Sequence, residues 1–480
     1  MKLARRHWIV AILGLASSSW ISSSSAAPSA GDAAFRDLYR ELIEINTTLS
    51  AGSCTQAAEA MKAHLTAAGF ADHDMQLLIP KDRPRDGTLI ALLPGREPRL
   101  KPVMLMAHMD VVEARREDWT RDPFKLVEEN GWYYARGAVD DKAMAAIFVD
   151  SMIRYRQERF RPRRGIKLAL TCGEESPQVF SSVAWLVRTN PAALDAAMAL
   201  NEGGDGELGP DGKPLTLQIQ AGEKVYQDFA LETTDVGGHS SRPTHENAIT
   251  RLSAGLIRLD TYRFPVTFLD ATRGYFQAQA KMAPPTIAGD IDTLLKDPGD
   301  EAAADRIWTF NPAWNGMLRT TCVVTQISGG HAVNALPQHA VANVNCRILP
   351  GEPIQEVQKR IVAVLADPKI AVSPVNEPGE GAPSPPLSRA VMDPARQVAQ
   401  RIWPGVPLIP TIVTWATDGR YLNAAGVPTY GLSGLFHDAE GSHMHGLNER
   451  IRVESLLNGR RFLYEVVKIY ADQDGPRSRS

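Results

Sequence analysis

The chain has 480 residues, 22% charged and 44% hydrophobic, with a formal net charge of −3. This is ordinary soluble-protein composition for two or three folding units. It excludes a polyanion binder, since no basic run or aromatic–basic interleaving marks a nucleic-acid surface. Beyond the first residues, nothing is long and apolar enough to span a bilayer.

The first residues differ. "MKLARRHWIVAILGLASSSWISSSSAAPSA" opens on Lys2, Arg5 and Arg6, runs apolar from Trp8 to Leu15 and ends in small residues. That is the layout of a secretory signal cleaved after Ala26; a retained membrane anchor is the alternative. No cysteine lies there for lipid attachment. Residues 1–26 are therefore expected to be removed, leaving a periplasmic or secreted protein with no stable membrane insertion. Cys54, Cys172, Cys322 and Cys346 are few and widely spaced, with no zinc-finger pattern. One disulfide would suit an oxidising compartment, buried free thiols fit at least as well, and spacing alone does not give a pairing.

From Ala34 to Gly222 short apolar runs alternate with helical spacing. "LIALLPG", "PVMLMAHMD", "GIKLALTCGEE" and "AAMALNEGG" read as strands, "DKAMAAIFVDSMIRYRQE" and "SSVAWLVRT" as helices. The alternation predicts an α/β fold, a mainly parallel sheet flanked by helices. "PLTLQIQAGEKVYQDFALETTD" then alternates apolar and polar residues, as half-buried antiparallel strands do. A helical stretch, "NAITRLSAGLIRLDTY", and two more strand-like runs, "TTCVVTQISGG" and "HAVANVNCRIL", follow. Residues 223–350 are thus expected to form an inserted α+β lid or dimerisation domain between two parts of a catalytic domain, 34–222 and 351–472. The second part begins with a helix near Ile354–Ala366, continues through strands at "TIVTWATDG" and "VPTYGLSG", and ends in a helix through "SLLNGRRFLYEVVKIYA". "KDPGDEAAADR" reads as an exposed insertion and residues 473–480 as a frayed tail.

Ligands gather at the carboxyl ends of strands in open α/β sheets, and those ends here are rich in ligating groups. His108 and Asp110 close one strand, Glu174 and Glu175 another, Glu202 a third, and Asp140 and Asp141 precede a helix. Taken singly each has a plain reading: a satisfied polar pair, a solvated loop, or a helix N-cap followed by a dipole-favoured acid. Together, so many carboxylates would raise one another's proton affinity unless cations neutralised them. Imidazole nitrogen and carboxylate oxygen suit zinc, and two ions roughly 3.5–4 Å apart sharing one carboxylate would relieve the repulsion.

The segments "MLMAHMDVVEA", "EDWTRDPFKLVEENGWYYARGAVDDKAMAA", "TCGEES", "NEGG", "GGHSSRPTHENAI", "NALPQHAVANVNCRI" and "HMHGLNERI" carry a more specific signal. In this order they resemble the co-catalytic zinc exopeptidase and aminoacylase family, which includes glutamate carboxypeptidase, succinyl-diaminopimelate desuccinylase, acetylornithine deacetylase and aminoacylase-1. The resemblance covers most of the mature chain. It implies two zinc ions, replaceable by cobalt or manganese, with Asp140 shared between them. Glu175 and His445 would complete one site, His108 and Glu202 the other. His445 is preferred to His437 and His443 because it stands in "HGLNE". Asp110 would orient His108, and Glu174 would be the general base, taking a proton from water and returning it to the leaving amine. His239 would donate to the oxyanion, from the partner subunit in relatives. Arg347 would grip the substrate carboxylate with Asn334 nearby.

Two departures touch the substrate side: Ala143 stands where many relatives have glycine, and Asn345 where aspartate is frequent. Glu202 and "EDWTRDPF" favour the carboxypeptidase-like branch. The expected enzyme is a zinc-dependent exopeptidase, working as a homodimer joined through the inserted domain. It would release an amino acid from a small peptide or N-acyl amino acid that ends in a free carboxylate. A dipeptidase or aminoacylase is the alternative within the class, and a non-catalytic peptide- or metal-binding protein the alternative outside it.

Overall fold

A computed structural model describes residues 30–375, 381–438 and 440–473. The expected leader and all of the expected tail but Gln473 lie outside the described residues. Ten strands form one sheet: Met75–Leu78, Thr88–Leu93, Ile166–Thr171, Val103–His108, Met198–Asn201, Thr429–Gly431, Pro214–Glu223, Gly206–Leu208 and Phe436–His437 in spatial order, with Leu408–Val413 also paired to Pro214–Glu223. The four from Ile166–Thr171 to Thr429–Gly431 are mutually parallel. Parallel neighbours need crossover connections, and the predicted helices supply them: Lys142–Gln157 before Ile166–Thr171, and Ser182–Thr189 after it. The fold is the expected α/β one.

Period-2 alternation assigns the strand side chains to two cores. Val103, Leu105 and Ala107 face a large core shared with helices Ala30–Glu44, Lys142–Gln157, Arg389–Ile402 and Val453–Asp472. Met104 and Met106 point the other way, onto helix Ser182–Thr189 and Leu422. Each fully buried Leu or Met contributes about 1.5–3 kcal/mol. Because the central strands are parallel and buried on both faces, their carboxyl ends form one edge, and that edge carries the site.

At Lys224 the chain leaves strand Pro214–Glu223 and enters Val225–Thr234 of a separate four-stranded antiparallel sheet. The buried Lys224 ammonium donates to the carbonyls of Gly316 and Arg319 at 2.7 and 2.6 Å, fixing the crossing point. His339–Ile348 lies at the middle of this sheet, between Thr321–Gly329 and Val225–Thr234.

Three expectations are corrected. Helix Ile354–Leu365 was expected to rejoin the large unit. Instead its Ile354, Val357, Ile361 and Leu365 pack with Leu252, Leu256 and the small sheet, and strand Ala371–Pro374 adds to that sheet's edge. The small unit therefore runs past Pro350. Conversely, the "exposed insertion" is half helix: Ala303, Ala304 and Ile307 of Glu301–Phe310 bury an apolar face in the large core, beside helices Asp270–Gln279 and Pro285–Lys296. Finally, no described cysteine is free. Cys54 pairs with Cys172, and Cys322 with Cys346 across neighbouring strands. Among the described residues no helix is long and apolar enough to cross a membrane.

Candidate metal centre and active site

Strand Val103–His108 ends on His108, which is buried. Its Nε2 lies 3.0 Å from Asp140 Oδ1 and 3.7 Å from Glu202 Oε2, at the end of strand Met198–Asn201. From a loop far along the chain, His445 Nε2 lies 2.9 Å from Asp140 Oδ2 and 3.0 Å from Glu175 Oε1. Asp140 thus turns one oxygen toward each histidine, as a shared ligand must. Ligand atoms of His108, Glu174 and Glu202 fall within 4.8 Å of one another, and so do those of Asp140, Glu175 and His445. His445 holds a left-handed backbone, φ 60°, at a cost on the order of 1–3 kcal/mol that a functional site tolerates.

The electrostatics match a cation site. Burial and neighbouring carboxylates push the Glu174 carboxyl well up; burial pushes Glu202 up to about 7, against the pull of His108. Burial would raise Asp140 too, but His108 and His445 outweigh it and hold that carboxyl below the usual range. Asp140 and Glu175 in turn push His445 up to about 10. Glu202 Oε1 and Asp141 Oδ2 are buried with no hydrogen-bond partner, a costly arrangement for carboxylate oxygens unless a cation or proton satisfies them. The two groups of nitrogen and oxygen donors, sharing Asp140, fit two divalent ions.

Asp141 occupies the N-cap position of helix Lys142–Gln157 without making a cap hydrogen bond. The plain N-cap reading therefore fails. Burial pushes its carboxyl well up, toward the neutral form.

Asp110 has a different partner from the one expected. His108 Nδ1 meets the Asp110 main-chain carbonyl at 2.9 Å, whereas the nearer carboxylate oxygen is 3.8 Å away. The Asp110 carboxylate instead accepts from the amides of Gly173, Glu174 and Glu175 at 2.7, 3.3 and 3.0 Å. It fixes the loop that presents Glu174 and Glu175.

Two further acids went unassigned in the sequence. Glu449 is fully buried and accepts from Arg136 at 2.7 Å and from the amides of Gly137, Val139 and Asp140 at 3.0, 2.8 and 3.2 Å. It organises the turn that carries Asp140. Asp418 accepts from Thr171 at 2.8 Å, and its charge helps raise the Glu174 and Glu202 carboxyls. Burial pushes Asp418 itself up to about 6. The strand-end rule that found Glu202 also points to Asp418, five residues beyond Leu408–Val413.

The substrate-side residues lie on the small unit. Arg347 of strand His339–Ile348 stacks over Tyr226, 4.6 Å from the ring centroid, and reaches the Thr414 carbonyl of the large unit at 3.4 Å. Burial lowers its pKa. Across the strand from Asn345 stands Asp228, which accepts from Asn345 at 2.9 Å and from Tyr226 at 2.6 Å. His239 and Asn334 are exposed at the sheet's tip, where the Ser240 amide donates to the Asn334 carbonyl and Ser241 donates to His239 Nδ1. Among the described residues, neither makes a hydrogen bond or ion pair with the metal-ligand cluster.

The chain resembles known proteins in sequence and fold. The chain is 29% identical over 388 residues to the human N-fatty-acyl-amino acid synthase/hydrolase PM20D1, covering 79% of this chain and 76% of that protein. It is 25% identical to the probable carboxypeptidase S-like 2 of Dictyostelium discoideum, covering 78% and 72%. It is 24% identical to mouse aminoacylase-1, covering 78% and 81%. The crystal structure of an M20 family metallo-carboxypeptidase from Sulfolobus solfataricus superposes with TM-score 0.63 at 18% identity, covering 91% of this chain and 99% of that one. Residues 104–469 match the profile of peptidase family M20/M25/M40. The chain belongs to that family, as a metallopeptidase or amidohydrolase.

Proposed function

We propose that the protein is an exported dizinc hydrolase that cleaves the amide bond next to a free carboxylate, releasing an amino acid from a small peptide or an N-acyl amino acid. One observation carries the reading: Asp140 offers its two oxygens to two separate sets of ligands, His108 with Glu202 and His445 with Glu175. Those residues would hold two divalent ions, which when bound polarise the scissile carbonyl and make water a nucleophile near neutral pH. Glu174, raised by burial, suits a general base that takes the proton from water and passes it to the leaving nitrogen. Arg347 presents a planar fork for the substrate carboxylate. His239 would donate to the oxyanion, and its exposed place at the tip of the small sheet supports delivery from the partner in a homodimer joined through that unit.

Export rests on the leader-like residues 1–26, and the two disulfides support an oxidising destination. Between peptides and N-acyl amino acids, the similarity to PM20D1 and aminoacylase-1 favours the latter as the first substrates to try. The test is a hydrolysis panel of N-acyl amino acids, dipeptides and longer peptides, each with a carboxyl-amidated counterpart, run with and without chelator. The reading requires chelator-sensitive release of an amino acid from the free acids and little from the amides. Equal cleavage of acids and amides, or cleavage indifferent to chelator, would defeat it.

A further inference from the structure

The Cys54–Cys172 disulfide stands at the foot of the loop that carries Glu174 and Glu175. Cys172 directly precedes Gly173, whose φ of 89° suits glycine and whose Cβ, if present, would collide with the Phe180 carbonyl. The next amides along the loop converge on the Asp110 carboxylate, and that carboxylate lies against the bridge: an Asp110 oxygen and the two sulfurs fall within 4.8 Å of one another. At its other end the bridge is anchored on the first residue of helix Cys54–Ala67, whose Ala57, Ala58, Met61 and Leu65 are locked in the large core. Both cysteines are buried in the large core, the Cys172 main chain is hydrogen-bonded to Ser182 at 2.9 Å, and a small cavity lined by Thr47, Leu49, Asp110 and Phe180 opens beside the bridge.

We infer that the Cys54–Cys172 bridge is a positioning element for hydrolysis: it fastens the Glu174–Glu175 loop to a rigid helix and so sets Glu175 against Asp140 and His445 and Glu174 against His108 and Glu202. The inference rests on the proposed roles of Glu174 as base and Glu175 as metal ligand. The Cys322–Cys346 bridge, which joins neighbouring strands of the small sheet, touches none of these groups and is the internal control.

The experiment compares C54A/C172A with C322A/C346A, each assayed well below its own unfolding midpoint. Zinc affinity is read by competitive chelator titration, and kcat and KM on N-acetyl-leucine. For C54A/C172A, kcat should fall on the order of 10- to 100-fold, as expected for a misplaced reacting group. Zinc should bind more weakly while KM changes little. C322A/C346A should keep both kcat and zinc affinity even if its midpoint drops. Wild-type turnover and zinc affinity in C54A/C172A would overturn the inference.

Should C54A/C172A fail to fold, folded C322A/C346A holoenzyme is treated with a water-soluble phosphine. Its two electrons cleave the remaining bridge, with water supplying both protons and the oxygen of the phosphine oxide. Loss of turnover and zinc affinity that returns on reoxidation supports the bridge's role; full reduction, verified by mass, with neither lost overturns it. E174Q separates the two layers. If it turns over like wild type, the base assignment fails, while the zinc titration still reads the bridge's hold on Glu175.

Discussion

At the carboxyl edge of the large sheet, the groups that carry the ligands are held by buried partners. Asp110 fixes the Glu174–Glu175 loop through three amides, Glu449 fixes the Asp140 turn through three amides and Arg136, and His108 is locked by a main-chain carbonyl. At the tip of the small sheet the terms are reversed. His239 is exposed: its ring accepts only from Ser241, two residues on, among the described residues, and its main chain pairs with Ala335 in a short two-stranded ladder. The difference matches two tasks. A metal site must exist before substrate arrives and gains from preorganisation. Groups that close over a substrate can be left on a weakly held element, where the free energy of opening is small.

That contrast can be broken most severely at Glu174. Replacement by glutamine should lower kcat about 10²- to 10⁴-fold, the usual worth of a general base, and leave the bound metal in place by elemental analysis. Glu449→Ala probes the hold on the Asp140 turn. Arg136 would be left as an uncompensated buried charge, so denaturant unfolding should show a loss of about 3–5 kcal/mol. On the small sheet, Arg347→Ala should raise KM roughly 10- to 100-fold for free acids, the scale of a lost charged hydrogen bond. It should leave unfolding nearly untouched; a large stability loss there would show that the small sheet is as rigidly built as the large one.

The smallest effect concerns the junction between the two sheets. Burial pushes Glu223 up to about 8, so the folded state holds its proton where the unfolded chain has released it. Stability from this group is fully present below the unfolded glutamate value and is lost as pH rises through about 8. Melting curves of Glu223→Gln should therefore flatten in that window relative to wild type. Parallel curves would remove Glu223 as the cause.

What the sequence made legible was local. The short apolar runs "PVMLMA" and "GIKLAL" place His108 and Glu174 at strand ends, because run length and terminus are both written in a few adjacent residues. Membership was harder. The amphipathic spacing of Ile354–Leu365 shows that one face is buried but not which sheet buries it, and in the structure it is the small one. Partner choice was harder still. That Asp110 would spend its carboxylate on the 173–175 amides, that Glu449 would gather the turn more than 300 residues earlier in the chain, and that Cys54 would meet Cys172 are consequences of tertiary approach. No spacing encodes them.

The central claim, that Asp140 is the carboxylate two cations share while its neighbour Asp141 is not a ligand, is tested most directly by counting metal. Elemental analysis of purified wild type, Asp140→Ala and Asp141→Asn after dialysis against zinc gives the answer in one comparison. The account predicts two equivalents in wild type, two in Asp141→Asn, whose carboxyl burial pushes well up, and a collapse of both sites in Asp140→Ala. Two tightly held ions in Asp140→Ala, or loss of metal in Asp141→Asn alone, would contradict it.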